Sequence, residues 1–165
     1  MPILDTHSLE FISRSTEQTR RVGMRLGSLL EPSDLVCLVG DLGSGKTTLV
    51  KGIAAGWGSL DPVSSPTFVL VNVYRRPGGD RLFHLDAYRL NGPAEAADLD
   101  IDAMVEAGPL VVEWADRIQT VLPENYLRIN LRFVNPEQRD LVLSARGARF
   151  ESLLAAFRQR VYGGL

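Results

Sequence analysis

Gly40-Asp41-Leu42-Gly43-Ser44-Gly45-Lys46-Thr47 carries two glycines, a lysine and a hydroxyl residue at the spacing of a phosphate-binding loop. A chance match in a chain of this length is on the order of one in a hundred or less. The flanks agree with the loop. Leu35-Val36-Cys37-Leu38-Val39 is an uninterrupted apolar run, as expected of a strand buried on both faces. Thr48 to Ala55 has few breakers and reads as a helix. Gly43 and Gly45 leave backbone N–H groups free to curl around phosphate oxygens, with the positive end of the helix behind them. Lys46 brings a mobile positive charge to the terminal phosphates, and the Thr47 hydroxyl suits Mg²⁺. The residues point to a nucleoside triphosphate.

The bulk properties set bounds. With 165 residues, the chain is expected to form one domain spanning 1–165. Its 45% hydrophobic and 23% charged content is that of a soluble globular protein. A net charge of −2 argues against tight, unaided binding to nucleic-acid phosphate. Cys37, the single cysteine, falls mid-strand and reads as a small core residue. The first residues do not read as a signal segment, and no apolar stretch reaches the ~18–20 residues of a membrane span. The expected address is the cytoplasm, without a membrane partner.

Around the loop, Leu9 to Ile12 reads as a first strand, and Ser15 as the N-cap of a helix with Gln18 three residues on. Val22, Leu26, Leu29 and Leu30 give that helix its stripe, with Pro32 ending it. Gly56, Gly58 and Pro62 suggest a turn. Thr67 to Tyr74 and Arg81 to Leu85 read as strands joined by Arg75-Arg76-Pro77-Gly78-Gly79-Asp80, a β-hairpin. Pro93 to Val105 reads as one helix or two short ones, Leu110 to Val112 as a buried strand, and Ala115 to Val121 as a helix. Tyr126 to Val134 alternates, with Leu127, Ile129, Leu131 and Phe133 on the apolar side. Asp140 to Ser144 and a helix from Ala148 to Val161 complete the chain. The expected class is α/β: a P-loop sheet, mixed parallel and antiparallel through an inserted hairpin, flanked by helices.

A triphosphate site also needs acids to hold Mg²⁺ and orient water. Asp86 and Glu113 each close a hydrophobic strand, where side chains reach the ligand crevice of open α/β sheets; each is equally placed to cap the helix after its strand. Thr67, in Ser64-Ser65-Pro66-Thr67-Phe68, is either a switch-like hydroxyl or a strand entry fixed by proline. Trp114 is placed to stack on a base, meet a partner or fill core. His84 alternates with Phe83 and Leu85 and reads as packing, and Arg139 as an arginine near a turn, within reach of a phosphate.

These motifs closely resemble a family, the bacterial TsaE (YjeE) ATPases. The phosphate loop, Ser65-Pro66-Thr67-Phe68, His84-Leu85-Asp86-Ala87-Tyr88-Arg89-Leu90 and Glu113-Trp114 occur in family order over nearly the whole chain. The resemblance implies an ATPase that supports threonylcarbamoyl modification of the adenosine beside the anticodon of certain tRNAs. It implies action on the TsaD–TsaB complex, with tRNA met only indirectly. By the same resemblance Gly43, Ser44, Gly45, Lys46, Thr47 and Thr48 hold the phosphates of ATP, and Thr47 and Glu113 ligate Mg²⁺. Asp86 is the Walker-B-like acid, Thr67 is switch-like, and Trp114 is a sensitive neighbour. Ser15 and Arg139 are the nearest equivalents of further nucleotide contacts. Two positions depart from the pattern: Leu99-Asp100, where many relatives have Leu-Gly, and Ala115-Asp116, where proline often follows the Glu-Trp pair.

Two other readings compete. A small-molecule kinase would use Arg75, Arg76 and Arg81 as lid arginines. A nucleotide-gated binding module would hydrolyse only incidentally.

Overall fold

The computed structural model describes residues 7–41, 43–63 and 71–163. Among the described residues, seven strands form one mixed sheet: β1 (Ser8–Ser13), β2 (Leu35–Val39), β3 (Val71–Arg75), β4 (Arg81–Asp86), β5 (Leu110–Glu113), β6 (Tyr126–Asn135) and β7 (Gln138–Arg146). Their spatial order is β1-β7-β6-β2-β5-β4-β3. The apolar β2 lies at the centre, parallel to both β5 and β6, which is why no residue from Leu35 to Leu38 reaches solvent. Strand β4 runs parallel to β5, while the β3–β4, β6–β7 and β1–β7 pairs are antiparallel. The expected α/β class with an antiparallel hairpin insertion is therefore observed.

Helices α1 (Thr16–Gly27), α2 (Lys46–Trp57), α3 (Pro93–Ala96), α4 (Ile101–Ala107) and α5 (Ala148–Tyr162) flank the sheet. Ser15 caps α1 as expected, its Oγ accepting the Gln18 N–H at 3.0 Å. Gln18 Oε1 reaches back to the Arg14 N–H at 2.7 Å, one residue outside the N-cap position. The helix ends at Gly27 rather than at Pro32. Beyond it the chain tightens into turns, Leu29 N–H to Leu26 O and Leu30 N–H to Gly27 O, which carry Leu30 into the core.

Gly56 is not a turn residue but an α2 residue. Helices α1 and α2 cross so closely that a β-carbon on Gly27 would overlap the Ile53 carbonyl, and one on Gly56 the Met24 carbonyl. The turn begins at Gly58, whose φ of 102° closes the helix.

Three further differences have local causes. Ala115–Val121 is 3₁₀ rather than α-helical, broken at Ile118 (φ −129°, ψ 21°). Pro93 to Val105 resolves into α3, a 3₁₀ turn over Ala97–Leu99, and α4, with Asp100 at φ 53° between them. Glycine adopts that left-handed conformation most readily, and aspartate tolerates it. Phe133 is 49% exposed, because β6 past Asn130 has lost its β2 neighbour and only β7 accompanies it. Residues Phe150, Leu153, Leu154 and Phe157 bury the apolar stripe of α5 as expected. Among the described residues, no helix is long and apolar enough to cross a membrane.

Candidate functional site

The loop leaves β2 at its C-terminal end and enters α2 through Gly45, whose φ of 102° is the left-handed conformation a side chain would strain. Gly43 turns at φ 78°, and a β-carbon there would meet nothing within 4 Å, so that position faces open space. The first N–H groups of α2 have no partner within the helix and carry the positive end of its dipole. Such a turn into a helix N-terminus presents donors to an anion.

Lys46 is almost fully buried, and its ammonium donates to Gly40 O at 2.5 Å, Asp41 O at 2.8 Å and Ser44 Oγ at 3.3 Å. It also sits 4.2 Å from the centre of the Trp114 ring. Burial pulls the Lys46 pKa below its ordinary value, opposed by Glu113, Asp41, Asp86 and Asp116. The ammonium is thus bonded to carbonyls and a hydroxyl, a weaker set of acceptors than phosphate oxygens offer. Ser44 is buried with its hydroxyl turned to Lys46, so its side chain supports the lysine.

Asp86 and Glu113 close β4 and β5 and are register partners. Asp86 Oδ1 accepts the Tyr88 N–H at 2.9 Å, so this acid shapes the turn after β4 and also faces the site. Its carboxyl pKa is raised above the ordinary 3.8, first by burial and then by the charge of Glu113, against the Tyr88 hydrogen bond. Glu113 is buried, and its Oε2 lies 2.5 Å from His84 Nε2; His84 Nδ1 lies 2.9 Å from the Tyr74 hydroxyl.

One cleft of about 370 Å³ gathers these groups. Gly43, Gly45, Lys46, Thr47 and Thr48 line it from the loop and α2, Asp86 and Glu113 from the strand ends, and Trp114 and Arg139 from beyond. Ser15 stands in an adjoining recess with Thr48 and Arg139. Thr67 lies outside the described residues. A second cleft of about 440 Å³ on the other side of Gly40 and Asp41 shares Trp114, but its Arg132 is already paired with Asp140 at 2.7 Å.

Trp114 holds φ 58°, ψ 39°, a left-handed conformation costly for a bulky side chain. Its ring meets Tyr88 at 5.0 Å, and the two make an aromatic side of the cleft, with the Arg117 guanidinium 5.2 Å from the Tyr88 ring. Arg139 donates to Asn135 O and Gln138 O and lies over Phe133, while its Nε is buried with no hydrogen-bond partner.

Two features went unread in the sequence. Tyr88 was visible only as a letter of a motif. His84 reads as packing because apolar residues flank it, yet a fully buried histidine needs polar partners, and it sits two residues before Asp86 on the same face.

The groups lining the cleft are of the kinds that could hold a nucleoside triphosphate and a divalent cation. Among the described residues no group of three or more acidic, histidine or cysteine side chains converges to cage a metal alone. Mg²⁺ is typically held by one or two carboxylates together with substrate phosphates, and Asp86, Glu113 and the Thr47 hydroxyl are the protein oxygens that could contribute here.

Residues 13–141 match the family described as threonylcarbamoyl adenosine biosynthesis protein TsaE. The chain is 35% identical over 146 residues to the tRNA threonylcarbamoyladenosine biosynthesis protein TsaE of Bacillus subtilis, covering 88% of this chain and 90% of that one. It is 45% identical over 114 residues to the protein of the same name from Streptomyces coelicolor, covering 68% and 77%. Among solved structures it is similar to Bacillus subtilis YdiB, with a TM-score of 0.75 and 29% identity, over 93% of this chain and 96% of that one.

Proposed function

The chain belongs to the TsaE family, and from that premise we propose that it is a Mg²⁺-dependent ATPase. It works as a single P-loop domain that supports threonylcarbamoyl modification of the adenosine beside the tRNA anticodon, by acting on the TsaD–TsaB complex. The observation that carries this reading is the convergence on one cleft of Lys46, at the start of α2, with Asp86 and Glu113, at the ends of the parallel strands β4 and β5.

The roles follow from position. The amides of the loop and of the start of α2 bind the phosphates, and Lys46 exchanges its carbonyl partners for phosphate oxygens. Thr47 and Glu113 hold the cation. Bound Mg²⁺ supplies positive charge that neutralises the phosphates and stabilises the charge of their transfer. Asp86, with its raised pKa, orients the attacking water and accepts its proton. Trp114 and Tyr88 wall the cleft against bulk water. A net charge of −2 fits a chain that leaves the grip on tRNA to its partners.

The arginines of the hairpin do not favour a kinase. Arg76 is held by Asp80 and the Trp57 carbonyl, Arg75 pairs with Asp61, and Arg81 lies over Phe83. None of the three lines the cleft.

The test is ATP hydrolysis by the purified chain, alone and with TsaD and TsaB of the same organism, with Asp86→Asn as control. Stimulation by the partners that Asp86→Asn abolishes supports the proposal. An unstimulated, folded and ATP-bound chain would refute the partner assignment and move attention to phosphoryl acceptors.

A further inference from the structure

Three outer strands carry a polar chain through an apolar interior. Along β4 and β5, His84 pairs with Val111 and Asp86 with Glu113, so His84, Asp86 and Glu113 share one face of the sheet. Along β3 and β4, His84 pairs with Asn72, which brings Tyr74, two residues on, to the same face. Tyr74, His84 and Glu113 are therefore diagonal neighbours on successive strands. All three are buried, at 3%, 0% and 4% exposure.

The hydrogen bonds in that chain have a direction. A carboxylate only accepts, so the proton between His84 and Glu113 belongs to Nε2. In a neutral imidazole Nδ1 is then the acceptor, and the Tyr74 hydroxyl donates to it. The tyrosine thereby selects the tautomer that points an N–H at the carboxylate. Ligating carboxylates are characteristically fixed by such outer hydrogen bonds.

We propose that Tyr74 and His84 are positioning residues that hold the Glu113 carboxylate in one orientation, with Oε2 occupied by His84 and the other oxygen available to a divalent cation in the cleft. This rests on the reading of Glu113 as a cation-holding residue. Neither His84 nor Tyr74 touches the nucleotide; both act through Glu113. His84 thus has a task beyond filling the core, and its place two residues before Asp86 in His84-Leu85-Asp86 follows from it.

The experiment is equilibrium binding of a ribose-labelled fluorescent ATP analogue, titrated with Mg²⁺ and repeated in EDTA. It compares the native chain, His84→Leu, His84→Gln, Tyr74→Phe and Glu113→Ala, each verified as folded by circular dichroism. His84→Leu is expected to raise the Mg²⁺ concentration at half-effect by about 10–100-fold, with binding in EDTA unchanged. His84→Gln, whose amide keeps a donor, is expected to recover most of that loss. Tyr74→Phe is expected to give a smaller rise in the same direction, and carries the test if His84→Leu does not fold. A purely structural histidine would lower the melting temperature without moving the Mg²⁺ dependence. Native Mg²⁺ dependence in His84→Leu or, should that variant fail to fold, in Tyr74→Phe overturns the relay alone, provided Glu113→Ala is impaired. If Glu113→Ala also matches the native chain, the cation role of Glu113 fails and takes the relay with it.

Discussion

Asp86 and Glu113 are register partners across the parallel β4–β5 pair, and their side chains leave the same face of the sheet at the same level. Two acids set side by side repel, and the Asp86 pKa is raised in part by Glu113. Their environments differ: Asp86 accepts a backbone N–H, while Glu113 is held by His84. We expect Asp86→Asn to keep nucleotide binding and slow hydrolysis by about 10²-fold or more. Glu113→Ala is expected to weaken Mg²⁺-dependent hydrolysis more than nucleotide binding in EDTA. Steady-state hydrolysis beside equilibrium binding measures both. Unchanged hydrolysis in either variant would return that acid to a structural role.

Trp114 reports on the lysine beneath it. Only two tryptophans are present, and Trp57 is buried at the end of α2 while Trp114 lines the cleft. Nucleotide that draws the Lys46 ammonium off Gly40 and Asp41 alters the field on a ring 4.2 Å away. Adding ATP is expected to change intrinsic fluorescence, in Trp57→Phe as in the native chain and not in Trp114→Phe. A response surviving in Trp114→Phe would count against this.

The α1–α2 crossing admits no side chain at Gly27 or Gly56, where a β-carbon would overlap a backbone carbonyl of the facing helix. Backbone cannot yield as a flexible side chain does. Gly56→Ala is expected to cost about 1–3 kcal/mol of stability by separating the helices, measured by urea denaturation. A neutral or stabilising effect, as alanine gives in an isolated helix, would show that the crossing is looser.

Cys37 sets an alkaline limit. Burial pushes its thiol from the ordinary 9.0 up to about 12. The folded chain therefore keeps a proton that the unfolded chain releases, and this contribution is complete below pH 9 and lost as pH rises through 12. Lys46, with a lowered pKa, acts in the opposite sense, its cost easing as pH rises towards 10.5. Comparing the native chain with Cys37→Ala cancels Lys46 and leaves the thiol. The stability difference between them is expected to shift against the native chain above pH 9, by at most about 1.4 kcal/mol per pH unit. A difference independent of pH between 8 and 11 would contradict this.

The loop was legible because its chemistry is local: two glycines, Lys46 and Thr47 lie within eight residues, behind an apolar strand that has to be buried. Asp86 and Glu113 were legible because each ends a hydrophobic run, although only the β4–β5 register sets them side by side. What tertiary contact decides was not. Gly56 looks like a turn residue until α1 is laid against it, and Phe133 continues an apolar alternation past the point where β6 loses its β2 neighbour. The 3₁₀ segment after Trp114 follows from a left-handed tryptophan that no helix propensity encodes. His84 is buried as its apolar flanks imply, but its polar partners were not legible, because they come from strands 10 and 29 residues away in sequence.

The central claim, a triphosphate cradle built on Lys46, is tested most directly by calorimetric titration of ATP with Mg²⁺ into the native chain and into Lys46→Ala. Saturable one-to-one binding that Lys46→Ala abolishes, in a variant that still unfolds cooperatively, is the expected result. Equal binding by both chains would contradict the account and remove the loop from its centre.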